Sequence, residues 1–268
     1  MIAFRFDIDT RAGLVERLPP LLDLLDRHGI RATFFCVMGP EANLAEIVRL
    51  RLLADRERKS PLNVSARGGA LQVARAALLP RGVGHRNPER LREIVRRGHE
   101  LQPHGWSHIQ WQRNLDAIDV EVHLERACEA YRRVTGAWPR GFASPGRTCN
   151  ERALAAFDAA GLDYAGDLDG QQPFRPAGHR HLQLPITRFE TIAELRRRGL
   201  DDERIVATYL DDIDANPDYC CLYEHPDDLR ASELEIFDRV FVGVRAAGRE
   251  PVTLGEMADA WSDRVAER

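Results

Sequence analysis

Two patterns of apolar residues alternate along this chain. Stretches that carry leucine, isoleucine or valine at helical spacing are followed by short stretches rich in β-branched and aromatic residues, which are typical of strands. The first pair is a helix predicted over 13–29, closed by the C-cap residue Gly29, and the strand IRATFFCVMG behind it. The same pattern then predicts the helices NPERLREIVRRG, AIDVEVHLERACEAYRRVTG, NERALAAFDAAG, DDERIVATYLDDIDANP and ELEIFDRVFVGVRAAG, and the strands HELQPH, PRGFASP, LDYAGDL and YCCLYEHP.

This alternation of strands and helices with short connections predicts a parallel sheet. In a chain of 268 residues it favours a closed α/β barrel over an open doubly wound sheet. No glycine-rich phosphate loop follows the first strand, AFRFDID, so a dinucleotide-binding fold is disfavoured. We therefore predict a single barrel domain over residues 1–268.

One segment, residues 41–84, breaks the alternation. It is too long for a single crossover, and it interleaves arginines with leucine, valine and alanine. We interpret it as an insertion of one or two helices. Two roles remain open, an extra surface helix pair or an amphipathic patch that lies on a membrane surface. The first is favoured because the apolar residues do not fall on one face of a helix.

Charge and cysteine content bear on the partners of the protein and on its cellular compartment. A formal net charge of -4 gives no general attraction to nucleic acid. Five cysteines, an odd number with no C-x-x-C pair, favour a reducing compartment. The start MIAFRFDIDT has neither the charged nor the apolar part of a secretory leader, so we expect a cytoplasmic protein. No apolar run is long enough for a spanning helix, although attachment at the interface remains open.

The reactive residues gather at the predicted carboxyl ends of strands, where barrels of this class build their active sites. Alternation along the first strand places Arg5, Asp7 and Asp9 on one face. After the strand HELQP, His104 and His108 lie four residues apart, so both rings reach one side of a helical turn. Together with Asp9 they form a set of three ligands that leaves a coordination position for water. Such a set suits zinc and also accepts manganese, cobalt, nickel or iron.

Two further strand ends carry candidate catalytic residues. His225 ends the strand YCCLYEH and can act as an acid or a base near neutral pH. Asp167 and Asp169 lie in AGDLDG, and one of them could hold His225 in its protonated form. Arg147 in FASPGRT could orient Asp7 or bind an anionic group of the substrate.

The stretches RFDID, GHELQPHGWSH, FASPG, GDLD and LYEH occur in the order of five family motifs. In them the chain resembles the NodB-homology polysaccharide deacetylases, carbohydrate esterase family four. The resemblance implies a distorted (β/α)7 barrel that removes N-acyl groups from amino sugars with a divalent metal, commonly zinc. It implies Asp7 as the general base, His225 as the general acid, and Asp9, His104 and His108 as the metal ligands.

The chain departs from the family pattern at two points. Ala143 stands where the third motif has an arginine, and Arg147 is a candidate to replace it. The fourth motif lacks its tryptophan, so Trp106 or Trp111 is a candidate for the wall of the pocket.

Within the family, DIDT, ATFFCVMGPE, HGWSHIQWQ, QQPFRP and LPIT resemble the branch that deformylates a 4-formamido sugar linked to undecaprenyl phosphate. This implies a lipid-linked substrate at the cytoplasmic membrane face, with His85 and Arg175 as candidate contacts to its phosphate or sugar. One alternative is a soluble cytoplasmic deacetylase of a free or nucleotide-linked N-acetyl amino sugar. Another is a catalytically silent barrel that binds a sugar lipid. The residues do not separate formyl from acetyl.

Overall fold

The computed structural model describes residues 1–41 and 82–265. Within them seven strands are all paired in parallel. They are β1 (Ile2–Ile8), β2 (Thr33–Cys36), β3 (Glu100–Pro103), β4 (Gly141–Phe142), β5 (Tyr164–Ala165), β6 (Leu182–Gln183) and β7 (Cys220–Glu224).

The strands follow one another around a distorted barrel. Four of them form a sheet in the order β3-β2-β1-β7, and three form a sheet in the order β4-β5-β6. Ala143 N donates to Pro103 O across the first junction, at 3.3 Å. Across the second, Thr187 N donates to Cys221 O at 3.0 Å, and Arg188 forms a parallel bridge with Leu222. The predicted distorted (β/α)7 barrel is confirmed.

Helices cover the outside of this barrel. In the described residues they are α1 (Leu18–His28), α2 (Pro88–Arg96), α3 (His108–Asn114), α4 (Val120–Thr135), α5 (Glu151–Ala159), α6 (Ile192–Arg197), α7 (Asp202–Ala215), α8 (Ala231–Ala246) and α9 (Leu254–Trp261). Each of the six predicted helices is present. The first begins only at Leu18, because a π-helical turn over Gly13–Arg17 precedes it. None of the helices in the described ranges is long and apolar enough to cross a membrane.

Strand β1 is the centre of the core. All seven of its residues are buried. Phe4 and Phe6 face the helices, where Phe6 stacks on Phe34 with ring centroids 5.3 Å apart. Arg5 and Asp7 point to the opposite side, into the barrel, so the predicted alternation places polar groups inside it.

The predicted insertion is joined to the barrel by paired residues. Pro40 and Gly82 form an antiparallel bridge, and Val83 N donates to Gly39 O at 2.9 Å. The chain therefore leaves and rejoins the barrel at neighbouring points. Residues 42–81 lie outside the described residues, and so do the helices and the membrane contact predicted there.

One carboxylic acid, Glu224 at the end of β7, is buried among the helices with 1% of its surface exposed. Its Oε1 accepts hydrogen bonds from Ile192 N at 2.5 Å and Tyr209 Oη at 2.6 Å. Burial outweighs these bonds and raises the pKa of Glu224 to about 8.

We expect the parent protein to lose free energy of unfolding as pH rises toward about 8, and the variant Glu224→Gln not to show this loss. Since the pKa of Glu224 is about 8 in the folded protein and ordinarily 4.5, the folded protein keeps a proton that the unfolded chain releases between these values. The free energy of unfolding therefore falls as pH rises through this window, by up to about 1.4 kcal/mol per pH unit. Glutamine keeps an oxygen for both hydrogen bonds and does not titrate.

Urea denaturation at a series of pH values tests this. The difference in unfolding free energy between variant and parent should grow in favour of the variant from about pH 5 to about pH 8. Glu89→Gln, at an exposed carboxylate, is the matched control and should give a flat difference. A flat difference for Glu224→Gln as well would show that this carboxyl is ionised throughout.

Candidate metal and catalytic site

Asp7 is fixed by a buried ion pair with Arg5, two residues before it on β1. Arg5 Nε donates to Asp7 Oδ1 and Arg5 Nη2 donates to Asp7 Oδ2, both at 2.8 Å. The guanidinium is fully buried, with its carbon 4.8 Å from the centroid of Phe35 and 5.6 Å from that of Tyr223. Burial alone would raise the pKa of Asp7, but Arg5 and the neighbouring imidazoles together outweigh it and hold that pKa below its ordinary value. Asp7 is therefore kept ionised in the interior.

Asp9, His104 and His108 come together at the carboxyl ends of β1 and β3. Asp9 Oδ1 lies 3.4 Å from His104 Nε2, and Asp9 Oδ2 lies 3.4 Å from His108 Nε2. Ligand atoms of a tetrahedral zinc ion, with bonds of about 2.0–2.1 Å, lie roughly 3.3 Å from one another. Hydrogen bonds between such atoms are shorter, at about 2.7–3.2 Å. The spacing and the donor types therefore fit a divalent ion.

Local structure sets the directions of the two imidazoles. His104 Nδ1 contacts the carbonyl oxygen of Ala143 at 2.7 Å, which leaves Nε2 directed at Asp9. Gly105 follows with φ 79°, and a β-carbon there would lie 3.1 Å from Pro145. This left-handed residue turns the chain from β3 into α3, which begins at His108. The four-residue spacing thus spans a strand end, a glycine turn and a helix start.

His225 faces the same mouth from β7. Its Nε2 lies 3.6 Å from Asp9 Oδ2 and 2.7 Å from the hydroxyl of Tyr223, which precedes it by two residues on the strand. Asp167 does not contact His225. Its carboxylate accepts hydrogen bonds from Ser144 N at 2.6 Å and Ser144 Oγ at 2.9 Å. Burial raises the pKa of Asp167 against the effect of these bonds. The structure therefore corrects the expected pairing of Asp167 with His225.

Arg147 does not reach Asp7 either. Its Nη1 donates to Asp169 Oδ1 at 2.8 Å, and its guanidinium carbon lies 4.0 Å from the ring centroid of Phe189. Arg5 on β1 provides the guanidinium that was expected from Arg147, which explains how Ala143 can occupy the third motif. The alternation of Arg5 and Asp7 along β1 is a sequence signal that points to this pair. The same alternation on β7 indicates that Tyr223 and His225 lie on one face of the strand, where they can pair.

The candidate substrate contacts separate into two groups. The rings of His85 and Trp106 are tilted by 35° with centroids 5.4 Å apart, and both line a cavity against α2 and α4. His85 Nδ1 contacts Met38 O at 2.9 Å. Arg175 instead binds backbone carbonyl oxygens, including that of Ser262 at 2.9 Å, and so holds its own loop. Trp111 is fully buried and forms no wall of the mouth.

A second group of ligand-type residues, Asp158, His179 and His181, is explained by hydrogen bonds. The two imidazole Nδ1 atoms lie 2.9 Å and 2.8 Å from the Asp158 carboxylate oxygens. The amide oxygen of Gln183 accepts two backbone N–H groups, so its nitrogen donates to His181 Nε2 at 3.2 Å. His181 must then carry its proton on Nδ1, and no lone pair remains there for an ion. Sequence reasoning did not single out this cluster.

Known proteins are similar to this chain in both sequence and fold. A family model described as polysaccharide deacetylase matches residues 1–165. A probable 4-deoxy-4-formamido-L-arabinose-phosphoundecaprenol deformylase from Shewanella sediminis (strain HAW-EB3) is 27% identical over 190 residues, which are 69% of this chain and 62% of that protein. The match thus spans less than two thirds of that relative's length.

Two solved structures resemble the whole barrel. A polysaccharide deacetylase from Mycobacterium smegmatis has a TM-score of 0.69 and 19% identity, covering 100% of this chain and 92% of that one. A second from Pseudomonas aeruginosa PAO1 has a TM-score of 0.70 and 16% identity, covering 98% and 91%. At these identities the likeness shows the fold.

We expect Arg5→Met to destabilise the protein strongly. Removing one partner of a buried ion pair leaves Asp7 charged without compensation, which typically costs about 3–5 kcal/mol. Adding Asp7→Asn to that variant should recover part of the loss, because the remaining carboxylate is then removed. Urea denaturation of the parent, both single variants and the double variant gives the coupling energy of the pair. A loss below about 1 kcal/mol for Arg5→Met would contradict a buried, charged pair.

Proposed function

The chain belongs to the polysaccharide deacetylase family, and we propose that it hydrolyses a small N-acyl group, formyl or acetyl, from an amino sugar. In its most specific form, the substrate is a 4-formamido sugar linked through phosphate to a lipid. The relative from Shewanella sediminis, described as a probable deformylase of such a lipid-linked sugar, supports this form. The protein would then act in the cytoplasm, at the inner face of the membrane.

The observation that carries the proposal is the convergence of three kinds of group on one mouth. The Asp9, His104 and His108 set has the spacing of metal ligands. Asp7 is an ionised carboxylate on the same face of β1, and His225 approaches Asp9 from β7. Amide hydrolysis needs a polarised carbonyl, a base for water and an acid for the amine, and these groups match those three needs.

A divalent ion held by Asp9, His104 and His108, with zinc as the ion that suits this donor set, would acidify a water molecule and polarise the acyl oxygen. Asp7 accepts the proton of the attacking water. Arg5 keeps Asp7 ionised and holds both of its oxygens in a fixed plane, so the base needs no reorientation during the reaction. His104 is kept in place by Ala143 O.

The acid step falls to His225. An amine leaves poorly unless its nitrogen is protonated as the C–N bond breaks. Protonated His225 donates that proton from Nε2 to the sugar nitrogen, which takes the place of the Tyr223 hydroxyl that Nε2 contacts in this structure. The products are the small carboxylic acid and the free amino sugar. His85 and Trp106, which line one cavity with α2 and α4, are the candidate contacts for the rest of the sugar.

The first test compares two substrates before and after chelation. The purified protein should contain bound divalent metal and should release amine from a 4-formamido sugar phosphate lipid. Chelation should abolish this release and added zinc should restore it. Faster release from the acetamido analogue would move the proposal to a deacetylase. An empty site that stays inactive with zinc, manganese and cobalt would favour a barrel that only binds the sugar lipid.

The second test separates the acid from the metal site. His225→Ala should lower turnover roughly 10²- to 10⁴-fold and leave the metal content unchanged, because His225 is not one of the three ligands. Asp9→Ala should lose both metal and turnover. Elemental analysis with amine release measures both quantities, and His28→Ala, at a part-buried imidazole on α1 that pairs with Asp238, serves as control. Near-normal turnover in His225→Ala would remove it from the mechanism.

A further inference from the structure

Arg147 adopts a backbone conformation that is unfavourable for its side chain. Among residues 1–41 and 82–265 it is the one residue other than glycine with a positive φ, 53°. Gly146 before it also has a positive φ, 61°. A left-handed conformation costs free energy in any residue with a β-carbon, and glycine or asparagine would meet the turn at lower cost. The shape of the turn therefore does not explain why position 147 is an arginine.

The guanidinium of Arg147 is held at the rim of the mouth by two loops. Its carbon lies over the ring of Phe189, which is 42% exposed, and its Nη1 binds Asp169, whose side chain is 80% exposed. These three residues follow β4, β5 and β6 respectively, so they meet at the carboxyl end of the barrel. The Asp169 contact is an exposed ion pair that an incoming anion can replace.

The turn that carries Arg147 is continuous with the catalytic site. Arg147 N donates to Ser144 O at 2.9 Å, and Ser144 follows Ala143, whose carbonyl oxygen holds His104. A β-carbon on Gly146 would collide with Gln112, so the turn also packs on α3, the helix that begins at His108. The turn that carries Arg147 is therefore joined to both histidine ligands, through the carbonyl of Ala143 and through α3.

The carboxylate that a phosphate would meet at this rim is Asp169, whose side chain is 80% exposed. The charge of Arg5 is already paired with Asp7. Arg147 is the guanidinium beside Asp169, so it can meet an anion that approaches here.

We propose that Arg147, supported on Phe189, binds the phosphate that is attached to the amino sugar and gives up Asp169 to do so. This inference rests on the proposed hydrolysis of an amino sugar, and it identifies the phosphate as the part of the substrate that Arg147 binds. The planar fork of arginine suits two phosphate oxygens at once, and the aromatic ring holds that plane in place before the substrate arrives.

The test uses the metal-loaded full chain and two soluble substrates, a methyl phosphodiester of the 4-formamido sugar and the neutral methyl glycoside of the same sugar. Arg147→Gln should lower kcat/KM on the phosphodiester about 10- to 100-fold, chiefly through KM, as for the loss of a charge-assisted hydrogen bond pair. The change on the glycoside should be about threefold or less. Arg152→Gln, at an exposed arginine paired with Glu121, is the control and should change neither.

Two further variants separate binding from a structural role. Asp169→Asn removes the competing carboxylate and should lower KM for the phosphodiester about two- to fivefold, an improvement that damage to the fold does not produce. Arg147→Gly relieves the left-handed backbone, so it should melt no lower than Arg147→Gln and still lose the preference for the phosphodiester.

Equal losses on both substrates in Arg147→Gln, or a higher KM in Asp169→Asn, would overturn the assignment while leaving the hydrolase intact. If the parent protein hydrolyses neither substrate, the proposed function itself fails, and the role of Arg147 falls with it.

Discussion

The ion pair between Arg5 and Asp7 is the interaction on which the rest of the site depends. A guanidinium and a carboxylate without exposure to water are tolerable only if each satisfies the other. Here the pair is bidentate, and the remaining donor, Arg5 Nη1, reaches Gly166 O at 2.5 Å beyond the end of β5. The buried guanidinium of Arg5 thus helps to keep Asp7 ionised and also joins β1 to the residue that follows β5.

The other active groups depend on the barrel in the same way. His104 is placed by the end of β3 and oriented by a residue that follows β4, whereas His225 is oriented by Tyr223 on its own strand. Ala143 on the turn after β4 holds His104, and Asp167 after β5 holds Ser144 in that same turn. A change in any of these loops would therefore be felt at the metal ligands. The second histidine cluster joins the same chain of contacts, because Gln183 donates to His181 and its amide oxygen accepts the N–H of Asp167.

The chain sequence predicted the barrel and the five residues at its mouth because their signals are local and repeated. Alternation along β1 brought out Asp7 and Asp9, and the four-residue spacing brought out His104 and His108. Strand β6 was missed, although β4 and β5 are equally short, because no helix lies between β5 and β6 to continue the alternation. Arg147 was one candidate partner for Asp7, or a ligand for an anionic substrate group, because both residues lie near strand ends, whereas Asp7 pairs with Arg5, two positions before it. The partner of Asp167 was likewise not predicted, because it depends on the register of β4 and β5, in which Phe142 pairs with Ala165 and Ser144 comes beside Asp167.

The paired ends of the segment between β2 and α2 also bear on how this fold varies. With Pro40 and Gly82 bridged, the barrel is closed at this point by its own residues, whatever chain lies between them. The entropy of closing a loop rises only logarithmically with its length, by about 0.6 kcal/mol for each doubling. Evolution can therefore lengthen, shorten or exchange this connection at little thermodynamic expense, and the barrel can acquire new surfaces there without altering the strands that hold its acids and histidines.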